Sequence, residues 1–244
     1  MEKFDIFMGY LPAGYPDRDG FLALLESATG AGLDILEVGF PSKNPFADGK
    51  VIRDTHRAID HSIAHDMAYW RQIRENCPLP LWIMGYSADL VGSGAYLELA
   101  RAGVVDAFVI PDCDARTFAR ITQELAPLNV DMVPLVRPDD SDETVRDYFQ
   151  DYPFVYYQLF LGETGSKAEI DNFTPMLGIA RKYNPLRILA GFGISNPTEA
   201  QRLLDAGFDG FIVGTAMVRA LNESPQALQA LIREIRNGTR RADA

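Results

Sequence analysis

Glu37 is the acidic residue in the otherwise apolar end of the segment Leu33-Asp34-Ile35-Leu36-Glu37-Val38-Gly39-Phe40-Pro41. A period of two puts Leu33, Ile35 and Glu37 on one face of a strand. A carboxylate on such a face is costly to bury. Two readings follow. Apolar walls disfavour ionisation and raise the acidity constant, which suits a general acid–base group near neutral pH. Alternatively, backbone N–H groups of the next loop satisfy the charge. Asp48 lies in Asn44-Pro45-Phe46-Ala47-Asp48-Gly49-Lys50, where Pro45 and Gly49 shape the loop. It either accepts a substrate N–H or caps the helix expected to begin near Val51.

Three glycine-bearing segments offer backbone amides to an anion: Thr164-Gly165-Ser166, Gly191-Phe192-Gly193-Ile194-Ser195 and Gly214-Thr215-Ala216. Glycine lets the main chain approach a phosphate, and a helix starting at Thr215 points its first N–H groups at it. No lysine or arginine is required. Glycine also serves tight turns, so the case rests on all three segments in order. Tyr10, Met84, Tyr86, Tyr156 and Tyr157 stand at strand ends, where they either line an aromatic pocket or fill a core. His56, His61 and His65 cluster, but the sequence places no third ligand beside the His61/His65 pair, so no metal site is expected. Cys77 and Cys113 form no Cys-x-x-Cys pair, and a thiol nucleophile is unsupported.

These groups need elements to hold them. Eight short apolar runs read as strands: Ile6–Leu11, Leu33–Val38, Leu81–Met84, Ala107–Ile110, Met132–Val136, Phe154–Tyr157, Arg187–Ala190 and Gly210–Val213. Several are nearly continuous in apolar residues, as strands covered on both faces are. Between them lie amphipathic stretches with helix starts at Asp17, Asn196-Pro197-Thr198-Glu199 and Ser224-Pro225. Gly30, Gly32, Gly103 and Gly207 mark expected helix ends. Eight strand–helix units over residues 1–244 fit a single (β/α)8 TIM barrel, an α/β fold with its active site at the C-terminal ends of the strands. An open doubly wound sheet is the competitor, but no glycine-rich dinucleotide turn follows the first strand.

Composition narrows the function classes. With 34 acidic and 23 basic residues the formal charge is −11, which argues against a nucleic-acid surface. The hydrophobic fraction, 47%, supports a sizeable core. No apolar run reaches the length of a membrane span. Met1-Glu2-Lys3-Phe4-Asp5 carries no secretory pattern and the two cysteines build no disulfide framework, so a reducing cytoplasm is expected.

Taken together, the motifs resemble the tryptophan synthase α subunit family. Phe7-Met8-Gly9-Tyr10-Leu11-Pro12-Ala13-Gly14-Tyr15-Pro16-Asp17 is similar to its first strand and turn, and Glu37-Val38-Gly39-Phe40-Pro41 with Pro45-Phe46-Ala47-Asp48-Gly49 to its catalytic strand and loop. Gly191-Phe192-Gly193-Ile194-Ser195 and Gly207-Phe208-Asp209-Gly210-Phe211-Ile212-Val213-Gly214-Thr215-Ala216 are similar to its phosphate site. The resemblance implies retro-aldol cleavage of indole-3-glycerol phosphate without a cofactor. It implies Glu37 and Asp48 as catalytic residues, the first moving protons and the second holding the indole N–H. It implies Asp112, Tyr156 and Thr164 as substrate-binding or supporting residues, which join Tyr10, Met84 and Tyr86 from the aromatic-pocket reading above as the expected substrate-binding set. Gly165, Phe192, Gly193, Gly214 and Thr215 would form the phosphate cradle, and a β-type subunit is an implied partner.

The chain departs from the family at four places. Pro41-Ser42-Lys43-Asn44-Pro45 stands where Pro-Phe-Ser-Asp-Pro is usual, and Ala88 where an asparagine is. The family's short N-terminal helix is not expected before Asp5, and Leu159-Phe160-Leu161-Gly162-Glu163-Thr164-Gly165 lacks a common serine–arginine pair. These changes fall on the partner surface or its loops. Two other readings stay open at this point: a related barrel acting on another phosphorylated substrate, with Lys43 near the site, and a non-enzymatic regulatory partner.

Overall fold

The computed structural model describes residues 5–159, 174–183, 187–191 and 193–239. Among the described residues nine parallel strands form one sheet: β1 (Ile6–Pro12), β2 (Ile35–Gly39), β3 (Leu81–Met84), β4 (Ala107–Val109), β5 (Asp131–Met132), β6 (Leu135–Val136), β7 (Phe154–Gln158), β8 (Arg187–Gly191) and β9 (Gly210–Val213). Their order is β5-β4-β3-β2-β1-β9-β8-β7-β6. The two edge strands are halves of the expected fifth run. Val133 donates its N–H to Phe108 O at 2.9 Å on one side, and Pro134 O accepts from Tyr156 N at 2.9 Å on the other. The barrel therefore closes through Val133-Pro134. Proline has no N–H to give, which breaks one strand into two short ladders without opening the sheet.

Alternation along the strands sorts the side chains into two layers. Met8, Ile35, Trp82, Val109, Leu189 and Ile212 belong to a buried cluster that fills the barrel. Phe7, Leu36, Val38, Val155 and Phe211 belong to the larger cluster beneath the helices, with Phe21, Leu25 and Trp70. Glu37 follows Ile35 by two and so shares its inward face, whereas Leu36 and Val38 look outward. Tyr156 belongs to the inner cluster, while Tyr157 packs outward on Phe208 with ring centroids 5.6 Å apart. Of those two tyrosines, only the first is available to a site inside the barrel.

The expected helix signals act as read. Asp17 accepts from Gly20 N at 2.8 Å, Asn196 from Glu199 N at 3.0 Å and Ser224 from Ala227 N at 3.0 Å. The Glu199 carboxylate reaches back to Ser195 N at 2.7 Å, one residue before the cap. Gly207 ends its helix in the left-handed region, but Gly30 ends the helix Arg18–Thr29 right-handed. Among the described residues no helix is long and apolar enough to cross a membrane.

Candidate active site at the C-terminal ends of the strands

Glu37 is 1% exposed near the C-terminal end of β2. Burial first, and the negative field of Asp48 second, push its carboxyl up to about 8. Among the described residues its Oε1 has no hydrogen-bond partner. The backbone-satisfied reading of Glu37 therefore does not hold for that oxygen. At neutral pH this group is a protonated acid in an apolar slot, ready to give its proton away.

Asp48 comes from the loop after β2, which is anchored at each step. Phe40 donates its N–H to Met84 O at 2.7 Å and stacks on Trp70, centroids 5.7 Å apart. Phe46 N reaches Asn44 O at 2.9 Å and Asp48 N reaches Pro45 O at 3.2 Å, coiling the tip. Asp48 ends 6% exposed and accepts the Tyr86 hydroxyl at 2.7 Å. Ala47 N donates to the same phenol oxygen at 3.2 Å, and Phe46 packs on the Tyr86 ring. Arg53 donates to the Asp48 main-chain oxygen at 2.6 Å. The capping alternative fails: the N-cap of the helix Lys50–Ala58 is Gly49, with no side-chain cap bond.

Aromatic groups wall the space between the two carboxyls. Tyr10, on β1, is the register partner of Glu37 and is 4% exposed. A Cβ on Gly39 would lie 2.2 Å from the Tyr10 hydroxyl oxygen, so the phenol occupies the volume that glycine leaves. Tyr10 packs with Ile52, Val218 and half-buried Met84. Burial, reinforced by the charges of Glu37 and Asp48, drives the Tyr10 and Tyr156 phenols well above their usual range, so both remain neutral donors. Asp112 is exposed and accepts Ser87 N at 2.8 Å. It braces the turn after Tyr86.

On the far side of Tyr10 lies the helix Thr215–Glu223. A Cβ on Gly214, its N-cap, would be 3.6 Å from Tyr10 Cβ. No side chain caps that helix, and its first return bond runs from Val218 N to Gly214 O at 3.1 Å. The amides of residues 215–217 precede that bond and are oriented for an anion. Gly193 has φ +81°, a conformation other residues seldom adopt, in the neighbouring turn after β8. The expected cradle residues Thr164, Gly165 and Phe192 lie outside the described residues.

The structure thus brings Glu37, Asp48, Tyr10, Tyr86 and Tyr156 to one end of the barrel. It adds His56, which the sequence reading set aside. His56 follows Ile52 by four on the buried face of its helix and is 3% exposed. That spacing was the available signal. Among the described residues no group of three or more His, Cys, Asp or Glu side chains is placed to hold a metal ion. Lys43 is exposed and lines an outer groove of about 370 Å³ with Pro41, His61, His65 and Ala88.

Comparison with known proteins bears on the family and the fold. A family profile described as tryptophan synthase alpha chain matches residues 1–243. The tryptophan synthase alpha chain of Chloroflexus aggregans is 31% identical over 248 residues, covering 96% of this chain and 92% of the relative. That of Methanosarcina acetivorans is 28% identical over 252 residues, covering 97% and 92%. A solved structure of Mycobacterium tuberculosis tryptophan synthase superposes with a TM-score of 0.85 at 25% identity, covering 98% of this chain and 94% of that one. The chain belongs to the tryptophan synthase alpha chain family.

Proposed function

We propose that Glu37 and Asp48 are the catalytic pair of a carbon–carbon lyase that cleaves indole-3-glycerol phosphate to indole and glyceraldehyde 3-phosphate. The activity is that of the family; the residue roles are our reading. One observation carries them: a fully buried carboxyl held in its acid form, with a second carboxylate delivered beside it by an anchored loop. Protonated Glu37 gives its proton to the ring carbon that bears the side chain. Asp48 accepts the indole N–H and offsets the positive charge that spreads over the ring. The Glu37 carboxylate then takes the proton of the adjacent hydroxyl. The carbon–carbon bond breaks, its electron pair returns to the ring, and the hydroxyl carbon leaves as an aldehyde. One proton enters and one leaves, so the enzyme is restored.

The phosphate of the substrate is assigned to the amides of Gly193, Gly214 and Thr215, with Thr164, Gly165 and Phe192 as the remaining proposed contacts. An acidic protein can bind an ester there because helix amides supply the positive pole. Exposed Lys43 is not placed as a buried imine-forming lysine, which favours the acid–base route. A β-type subunit is the proposed partner. Lys43 and Ala88, two of the departures from the family pattern, line the same outer groove, as an altered partner contact requires.

The test is direct. Purified chain incubated with indole-3-glycerol phosphate releases indole, and Glu37→Gln lowers turnover by about 10²-fold or more while retaining binding of a glycerol phosphate ligand. Wild-type turnover in that variant would remove Glu37 from the mechanism.

A further inference from the structure

Among the described residues His56 has hydrogen-bond contacts to Ser42 and Tyr10, and together they determine where its proton sits. Ser42 N donates to His56 Nδ1 at 3.2 Å. A backbone amide is only a donor, so Nδ1 is an acceptor and carries no hydrogen. The ring proton of the neutral imidazole is therefore on Nε2. Nε2 lies 3.4 Å from the Tyr10 hydroxyl. In this tautomer the imidazole donates and the phenol oxygen accepts. Burial supports the neutral form, lowering His56 to about 4.

Consequences for Tyr10 follow from the chemistry of a phenol. Its O–H prefers the ring plane, where it has two directions. His56 occupies one of them as donor, so the phenolic hydrogen takes the other. The register partner of Tyr10 on the barrel's inner face is Glu37, and among the described residues its buried Oε1 has no partner and no hydrogen bond joins the two side chains. The same imidazole fastens Ser42, 1% exposed, in the loop that leads to Asp48. One side chain thus connects β1, the start of the catalytic loop and the helix that follows it.

We propose that His56 is a positioning residue that presents the Tyr10 hydroxyl as a hydrogen-bond donor to the negative charge formed when Glu37 gives up its proton. This rests on the lyase reading above. The donor interaction is absent while Glu37 is protonated and is made only as charge develops, so its loss falls on kcat rather than on KM. Nothing in the proton inventory changes: Tyr10 keeps its hydrogen throughout.

Two amide substitutions separate the two bonds of the imidazole. His56→Asn keeps an acceptor at the position of Nδ1 but falls short of Tyr10. His56→Gln places an amide donor at the position of Nε2. Tyr10→Phe removes the hydroxyl alone. Expected results are a fall of about tenfold in kcat for Tyr10→Phe and for His56→Asn, with KM within about twofold, and recovery toward wild type in His56→Gln. The double variant Tyr10→Phe/His56→Asn is no slower than the single ones, because both remove the same donor. Melting temperatures identify any variant that does not fold, and Tyr10→Phe, which only deletes an oxygen, stands as the conservative arm. Wild-type kcat in Tyr10→Phe and His56→Asn, or losses that multiply to about 100-fold in the double variant, would overturn the proposal. A readout independent of turnover is the imidazole nitrogen spectrum of the intact chain. It shows the Nε2–H tautomer if the proposal holds. An Nδ1–H tautomer or an imidazolium at neutral pH refutes it, even if the chain released no indole and the lyase reading itself had failed.

Discussion

The two ends of the barrel treat carboxylates in opposite ways. At the N-terminal end, Asp34, Asp106 and Asp209 each precede or follow a strand junction and each accepts a strand amide: Phe7 N at 2.8 Å, Leu81 N at 2.7 Å and Ile188 N at 2.8 Å. Each is also paired with an arginine on a helix, namely Arg236, Arg74 and Arg181. At the C-terminal end, Glu37 has an oxygen without a partner among the described residues, and Asp48 is held by a neutral phenol. Charge that is paired and hydrogen-bonded stays put and ties strands together. A buried carboxyl with an unpartnered oxygen, as Glu37 has among the described residues, holds its proton up to about pH 8. The same residue class is scaffold at one end and, in the mechanism we propose, chemistry at the other.

The largest expected effect that tests this contrast is on Asp48. Asp48→Asn keeps the volume and the Tyr86 contact but removes the charge, and should lower indole release by about 10²-fold with the melting temperature held or raised. A loss of stability with activity intact would make Asp48 a scaffold residue and erase the distinction between the ends. At the other end, Asp106→Ala leaves Leu81 N and Arg74 without their shared acceptor. It should cost about 2 kcal/mol in urea unfolding, while turnover per folded molecule is unchanged. Most of that loss belongs to the backbone bond, because the ion pair is partly exposed and contributes little.

A smaller effect sharpens the comparison through pH. Glu37 is raised from 4.5 to about 8, so the folded state holds a proton the unfolded chain has lost across that window. Stability from this source is complete below pH 4.5 and is lost as pH rises through 8. His56 is lowered from 6.5 to about 4, so between those values the unfolded chain holds the extra proton, and stability from His56 is lost as pH falls. The two slopes oppose each other between 4.5 and 6.5. From 6.5 to 8 the Glu37 slope stands alone, and stability should decline by about 1.4 kcal/mol per pH unit. Urea midpoints of the wild type and Glu37→Gln over that range check this: the decline should disappear in the variant.

Much of the scaffold was legible because its signals are local. Asp17, Asn196 and Ser224 cap helices through bonds to residues three positions on, so their roles follow from neighbours in the chain. The expected strand runs fall on strands with shifted limits: the strand in Leu33–Val38 is Ile35–Gly39, and Met132–Val136 divides at Val133-Pro134. Proline was visible in that run. That the split strand supplies both edges of a closing sheet was not, because closure depends on partners distant in sequence.

For the site, the sequence by itself determined that Glu37 shares the inward face of Ile35 and that glycines precede the helix at Thr215. Both follow from the two-residue period of a strand and from the geometry open to glycine. Tertiary structure alone decided that Asp48 meets Tyr86, 38 residues away, rather than capping the next helix, and that His56 meets Tyr10 across 46 residues. It also decided that Glu37 is an acid at neutral pH. A residue's periodicity says which way its side chain faces, but its proton affinity depends on how much water and how many charges the rest of the fold leaves around it.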